Sequence, residues 1–260
     1  MAALLCPVRD CHLALVREER RAFCPRGHSF DIARSGYINL LQPQDRRSKQ
    51  PGDTESAVHG RRRLHDLGVT GPQLDAIREV ISASPSDVVL DAGCGEGFYL
   101  GSLARASGFD ACGVDISVPA LDAAARRYPT CEWVVANADR FVPYADRSFS
   151  IVLSITARMN AGEFLRVLNH GGRLLIALPA PDDLIELRGP GRDRVARTIE
   201  TFGGDFTLIE QRRVSTTADL DAAAVQDVLH SIYRPLRSQP AQAMRVTFSL
   251  DLLLFRAESR

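Results

Sequence analysis

Lysine is nearly missing: Lys49 is the only one among 32 basic residues, a scarcity that reads as the codon bias of a GC-rich genome rather than as chemistry. No apolar run approaches the roughly twenty residues that span a bilayer. The first residues, MAALLCPVRDC, lack a basic segment ahead of an apolar one, so no membrane association is expected and the chain reads as cytoplasmic. Net charge is absent too, with 32 acidic residues against 32 basic, so bulk charge argues neither for nor against a nucleic-acid partner. No internal repeat is apparent. What is there is ordinary globular material: 260 residues, 45% hydrophobic and 25% charged, enough for one substantial α/β domain plus something small.

The charge is unevenly spread. Residues 1–63 hold twelve Arg/Lys (Arg9, Arg17, Arg20, Arg21, Arg26, Arg34, Arg46, Arg47, Lys49, Arg61, Arg62, Arg63) against seven Asp/Glu. Three of the six cysteines, Cys6, Cys11 and Cys24, crowd into the same region, while Cys94, Cys112 and Cys131 are scattered. In a cytoplasmic chain the crowded three suggest metal and the others buried thiols. Residues 1–36 read as short β pieces that cannot bury a core unaided. Residues 37–69 read as a linker, polar and proline-containing over 42–56, followed by a basic helix over 57–68.

From residue 70 the pattern changes. An amphipathic helix is predicted over 72–82, from Leu74, Ile77, Val80 and Ile81 at helical spacing. Strands follow at 88–90, 111–115, 132–135, 149–153 and 173–178, alternating with helices at 97–107, 118–127 and 163–168. Short apolar strands alternating with helices predict a doubly wound α/β parallel sheet covered on both faces. Residues 206–213 and 244–256 supply late strands for an antiparallel edge.

Asp91-Ala92-Gly93-Cys94-Gly95-Glu96-Gly97 leaves the first of these strands and opens a helix. Glycines there let the backbone turn tightly and approach a ligand, and the helix start offers unpaired N–H groups. The order D-x-G-x-G-x-G differs from the dinucleotide pattern G-x-G-x-x-G. Asp115, followed by Ile116, ends the second strand, where a carboxylate can accept from ribose hydroxyls. Asn137, Ala138 and Asp139 lie beyond the third, where a side chain can meet an adenine. In this order the elements resemble the class I, Rossmann-like S-adenosylmethionine-dependent methyltransferases over residues 70–260, a resemblance that implies S-adenosylmethionine as cofactor.

Cys6-x₄-Cys11-x₁₂-Cys24-x₃-His28 is the ligand set of a closed, structural zinc site, and such a metal would supply folding energy to a small module. His12 is an alternative to Cys11, which is favoured because thiolate is the commoner ligand. Together the zinc module and the second domain resemble the bacterial 23S rRNA (guanine-N1)-methyltransferases. The matching stretches are CPRGHSFDIARSGYINLL (24–41), PGD (51–53), RRRLHDLG (61–68), VLDAGCGEGFY (89–99), GVDIS (113–117) and AAARRYP (123–129). The resemblance implies methylation of a hairpin-loop guanine, an RNA-recognising zinc module and, for some members, antibiotic resistance. Carried over by position, it places Cys6, Cys11, Cys24 and His28 on zinc and Gly95 and Glu96 in the cofactor loop.

The chain departs from the family pattern in four places. The first cysteine pair is spaced wider than x₂. Thr70 stands where a cofactor-contacting tyrosine is usual, Asp183 where a histidine is, and Ser154–Asn160 lacks the usual aromatic and proline. Thr156, Arg158, Asn160 and Asp183 are the candidate catalytic residues, since ligands collect at the carboxyl ends of the strands. Asp183 is a candidate proton acceptor, or simply opens a helix. Arg46, Arg47, Lys49, Arg61, Arg62 and Arg63 are candidate phosphate contacts, and Tyr37 or Phe30 candidate stacking residues. Other readings are a small-molecule (natural-product) acceptor, a non-catalytic cofactor- or RNA-binding protein, and assembly as a homodimer.

Overall fold

A computed structural model describes residues 2–45, 51–231 and 241–258. The main sheet is built from β4 (Ile38–Asn39), β5 (Val88–Ala92), β6 (Asp110–Asp115), β7 (Glu132–Val135), β8 (Phe149–Ile155), β9 (Leu168–Pro179), β10 (Phe206–Leu220) and β11 (Met244–Ala257). Its order is β10-β11-β9-β8-β5-β6-β7-β4. The strands from β9 to β4 pair in parallel, whereas β11 inserts antiparallel between β9 and β10. Each element expected from residue 72 onward is present. The main difference is β9, which begins at Leu168 and carries residues 169–172 as an irregularity rather than a separate turn.

The buried faces explain the covering helices: α2 (Gly71–Ile81), α3 (Phe98–Ser107) and α4 (Val118–Arg127). Ile77, Ile81, Leu100, Leu121 and Ala124 pack with Val89, Val135 and Leu153 on one face of the sheet. Leu90, Val134, Val152, Phe164, Phe202 and Phe255 form the other, to which α5 (Ala161–Val167) and α7 (Val195–Phe202) contribute. A third apolar group joins α1 (Glu55–Asp66), the short α6 (Ile185–Arg188) and α8 (Ala222–Ser231) through Leu64, Leu184, Val225 and Val228. Chain order reverses after β7, where the path returns to place β8 against β5, and crevices at such switch points receive ligands.

The N-terminal module is not a separate bead. Its antiparallel sheet is β1 (Val16–Arg17), β2 (Arg21–Phe23) and β3 (Ser29–Asp31). Residues 37–69, expected to be a linker and a helix, supply β4, which pairs in parallel with β7 and covers that edge of the main sheet. Leu4 bridges Tyr144, and Arg17 of the module pairs with the buried Glu132, which also accepts from the Tyr144 hydroxyl at 2.7 Å. Cys6, Cys24, Phe30 and Leu40 share one buried cluster with Val134 and Phe149. Phe30, a stacking candidate, is therefore core, and Tyr37 packs half-buried against the opposite cluster.

Candidate metal centre and cofactor site

The ligand atoms of Cys6, Cys11, Cys24 and His28 all lie within 4.8 Å of one another. Cys6 Sγ and Cys24 Sγ are each 3.4 Å from His28 Nδ1, and Cys11 Sγ is 3.7 Å from Cys24 Sγ. A tetrahedral zinc with ordinary bond lengths needs edges of about 3.8 Å between sulfurs and about 3.6 Å between sulfur and nitrogen. The cage therefore fits zinc, and its four protein ligands leave no open position. His12 is not among them. The wide spacing of the first pair is absorbed by a turn in which Asp10 (φ 62°) and His12 (φ 44°) are left-handed and the Cys11 N–H donates to Val8 O.

The glycine-rich loop leaves β5 at Asp91. A Cβ at Gly93 would sit 2.4 Å from Ala157 Cβ, so that glycine admits the loop after β8. A Cβ at Gly97 would meet the Trp133 ring at 2.4 Å; this glycine lets α3 close onto the sheet. Gly95 (φ 54°) is different, with only Arg61 Nη1 near its vacant Cβ position, at 3.8 Å. There the glycine supplies the left-handed turn and an open approach. The Gly95 N–H donates to Asp115 Oδ2 at 2.9 Å, and the Ser117 N–H donates to Asp115 Oδ1 at 2.8 Å, which fixes the carboxylate at the end of β6 beside Ile116.

Arg61, a candidate phosphate contact, is held between carboxylates: its guanidinium pairs with Asp53 and lies 3.1 Å from Glu96. Glu96, also buried, meets His65 Nε2 at 3.0 Å through its other oxygen. His65 Nδ1 is 2.6 Å from Thr70 Oγ1, and its ring stacks on Phe98 with centroids 3.8 Å apart. Thr70 and Glu96, expected at the cofactor, are thus occupied with protein partners that hold the loop. The segment before α1 is tied down as well, because the Ser117 hydroxyl donates to Asp53 O at 2.8 Å. Arg63 is likewise paired, with Asp227, whereas Arg62 is exposed and 3.8 Å from Asp66. Arg46, Arg47 and Lys49 lie outside the described residues. Asp53 and His65 escaped the sequence reading, although Arg61 and His65, four apart on one helix, carried the signal.

Asp91, Glu96 and Asp115 bring three carboxylates to one loop. Burial, with Asp115 and Glu96 nearby, pushes the Asp91 carboxyl up to about 8, and its Oδ1 is buried without a hydrogen-bond partner. Glu96 is held below its usual range: burial opposes this, but Arg61 and His65 outweigh it. An orphaned carboxyl oxygen in an acid-rich, glycine-lined turn suits a ligand that carries positive charge beside a ribose. S-adenosylmethionine, with a sulfonium and an ammonium, fits that description.

The remaining candidates divide. Asn137 donates to Asp45 O at 3.1 Å, and its Oδ1 accepts from the Asp139 N–H. Asn160 is spent on structure: its Oδ1 caps α5 at Glu163 N, and its Nδ2 donates to Asp139 O at 3.0 Å, with Ala138 O at 3.5 Å. Thr156 is left-handed (φ 51°) and exposed, and Arg158 is 3.5 Å from Asp139. Asp183 accepts from the Ser249 N–H at 2.9 Å and pairs with Arg188 at 2.6 Å. Burial, partly offset by these contacts, raises its carboxyl above the ordinary value, and its charge reaches the half-buried Tyr99 at the start of α3.

Residues 4–49 match the family described as "RlmA, N-terminal", a zinc ribbon, and residues 89–175 match "Methyltransferase domain". The chain is 33% identical over 237 residues to the 23S rRNA (guanine(748)-N(1))-methyltransferase of Streptomyces fradiae, covering 87% of this chain and 83% of that protein. YxjB of Bacillus subtilis (strain 168), named for 23S rRNA (guanine-N1) methylation, is 34% identical over 194 residues, or 70% of this chain and 66% of that one. Among solved structures, a methyltransferase in complex with the Haloferax volcanii Trm112 activator superposes with a TM-score of 0.58 at 19% identity, over 80% of this chain and 99% of that one. The latter speaks for the fold alone. With both modules present and the Streptomyces relative matched nearly end to end, the chain belongs to the zinc-containing, S-adenosylmethionine-dependent 23S rRNA (guanine-N1)-methyltransferase family.

Proposed function

We propose that this chain methylates N1 of a guanine in 23S rRNA, the target being a hairpin-loop nucleotide turned out of its stack. The observation that carries the reading is the near full-length relationship to the Streptomyces fradiae enzyme, supported by a zinc ribbon fused to the methyltransferase sheet through β4. The cofactor, when bound, supplies an already activated methyl group, so positioning provides most of the acceleration.

The protein's own share is to hold and orient. Asp115 and the Gly93–Gly95 turn receive the ribose side, and Asp91 faces the cationic end. Glu96, Arg61 and His65 keep the loop in that shape. Guanine N1 must lose its proton, and Asp183 is the acceptor, a half-buried carboxyl at the carboxyl end of β9 whose raised proton affinity suits a base. Thr156 and Arg158 flank the base from the loop after β8, while Asn160 positions that loop.

Unmodified 23S rRNA incubated with the protein and tritiated S-adenosylmethionine should take up label as N1-methylguanosine, identified by mass spectrometry. Rejection follows if rRNA stays unlabelled while a small-molecule extract takes up the methyl group. Asp183→Asn should lower kcat at least about tenfold with cofactor affinity by calorimetry unchanged; an unaltered kcat removes Asp183 from the chemistry.

A further inference from the structure

His12 is the histidine of the zinc turn that the metal does not use. Its imidazole lies flat on Phe141, with ring centroids 4.3 Å apart and planes within 8°. The Arg166 guanidinium carbon also lies over the Phe141 ring, 5.0 Å from its centroid. His12 is the solvent-accessible member of the stacked pair, while Phe141 is half-buried. The pair borders a recess of about 520 Å³ between the zinc turn and the residues after β7, lined also by Arg9, Gln44, Asp45, Asn137 and Arg140. Arg140 is held in place by Asp45 at 2.8 Å, and Arg9 is an exposed cation.

A stacked ring with an open face, two guanidinium groups and the exposed Gln44 amide are the chemistry of a nucleotide site: the ring takes a base, the cations take phosphates and the amide reads a base edge. The recess adjoins Ala138 and Asp139, whose carbonyls hold Asn160 of the loop after β8. A strand seated there would run on toward that loop. We propose that His12 is a base-stacking platform for a single-stranded nucleotide flanking the methylated guanine, with Arg9 and Arg140 on its phosphates. The assignment rests on the rRNA reading above and makes the zinc turn a specificity element rather than only a fold support.

The test uses the full-length protein in two arms. Fluorescence anisotropy with a labelled single-stranded RNA oligonucleotide reads binding without turnover, and steady-state methylation of unmodified 23S rRNA reads KM against kcat. His12→Ala should weaken oligonucleotide binding and raise the RNA KM, each about tenfold, with kcat within twofold. His12→Phe should restore both, and Arg9→Glu should weaken both while flattening their salt dependence. Zinc content and S-adenosylmethionine affinity by calorimetry should match the wild type in every variant. Wild-type RNA binding by His12→Ala overturns the proposal, and so does a His12→Phe variant as weak as His12→Ala. If the wild-type protein leaves 23S rRNA unmethylated, the functional reading fails, and the anisotropy arm still decides the stacking.

Discussion

Glu96 Oε1 lies 3.0 Å from His65 Nε2, with both side chains buried, and Glu96 Oε2 lies 3.1 Å from Arg61 Nε one helical turn earlier. One carboxylate of the glycine loop therefore fastens α1 over that loop, and with it the Asp53 segment, whose carbonyl accepts from the Ser117 hydroxyl.

Removing that carboxylate leaves the buried His65 imidazole without its partner and the half-buried Arg61 guanidinium with Asp53 alone. Glu96→Ala should cost about 3 kcal/mol of stability, read by urea unfolding, and should weaken S-adenosylmethionine binding by calorimetry. Because the folded-state proton affinity of Glu96 is depressed, its contribution is present above the unfolded carboxylate range and lost as pH falls through the folded value. The stability gap between wild type and Glu96→Ala should accordingly narrow in acid. A gap that stays constant with pH would deny the charged pairing.

Asp91 has the opposite sign. Its carboxyl is raised from 3.8 to about 8, so the folded protein binds this proton more tightly than the unfolded chain does. Its contribution is fully present below the unfolded value and is lost as pH rises toward about 8. In the cofactor-free protein, Asp91→Asn should raise Tm relative to wild type, by an amount that grows between pH 5 and pH 8. The same variant should bind S-adenosylmethionine more weakly. Equal Tm values at every pH would mean Asp91 ionises as an ordinary surface acid.

Zinc removal should reach beyond the ribbon. The ligand cysteines share a buried cluster with Val134 and Phe149, and β4 is hydrogen-bonded to β7. Chelation should therefore increase hydrogen exchange in β4 and β7 as well as in residues 1–36, and lower Tm. Faster exchange confined to residues 1–36 would show the module to be thermodynamically separate.

Gly97→Ala tests the packing of α3 on the sheet. The added methyl would meet Trp133 at 2.4 Å, at a residue with φ 75°. A loss of about 3 kcal/mol is expected, measured by chemical denaturation, with zinc content preserved. At Gly95, where the vacant Cβ position is open, alanine should be milder for stability and more harmful to cofactor affinity. Equal stability losses at the two positions would contradict the distinction.

Much of the site was legible because local order carries it. The D-x-G-x-G-x-G loop must follow a strand and open a helix, and three thiolates and an imidazole at ribbon spacing can serve one ion. The partners of Arg61 are not legible in the sequence for a physical reason: a charge run on an amphipathic helix looks the same whether its carboxylate partner is water-exposed or, as with Glu96, lies 35 residues away in a buried loop. The cap that Asn160 makes is hidden for a similar reason, since a polar residue after a strand can face a substrate or cap the next helix, and here its Oδ1 accepts from the Glu163 N–H.

The sequence by itself determined the alternation of strands and helices, the glycine turn and the ligand set of the metal, because hydrophobic period, backbone permissiveness and donor chemistry are local properties. Only the tertiary structure decided how the pieces join. It added Ile38–Asn39 to the edge of the main sheet, turned Arg61 and His65 onto Glu96, and left His12 off the metal and flat against Phe141. Those outcomes depend on contacts between residues distant in the chain, and no local pattern encodes the burial that gives such contacts their strength.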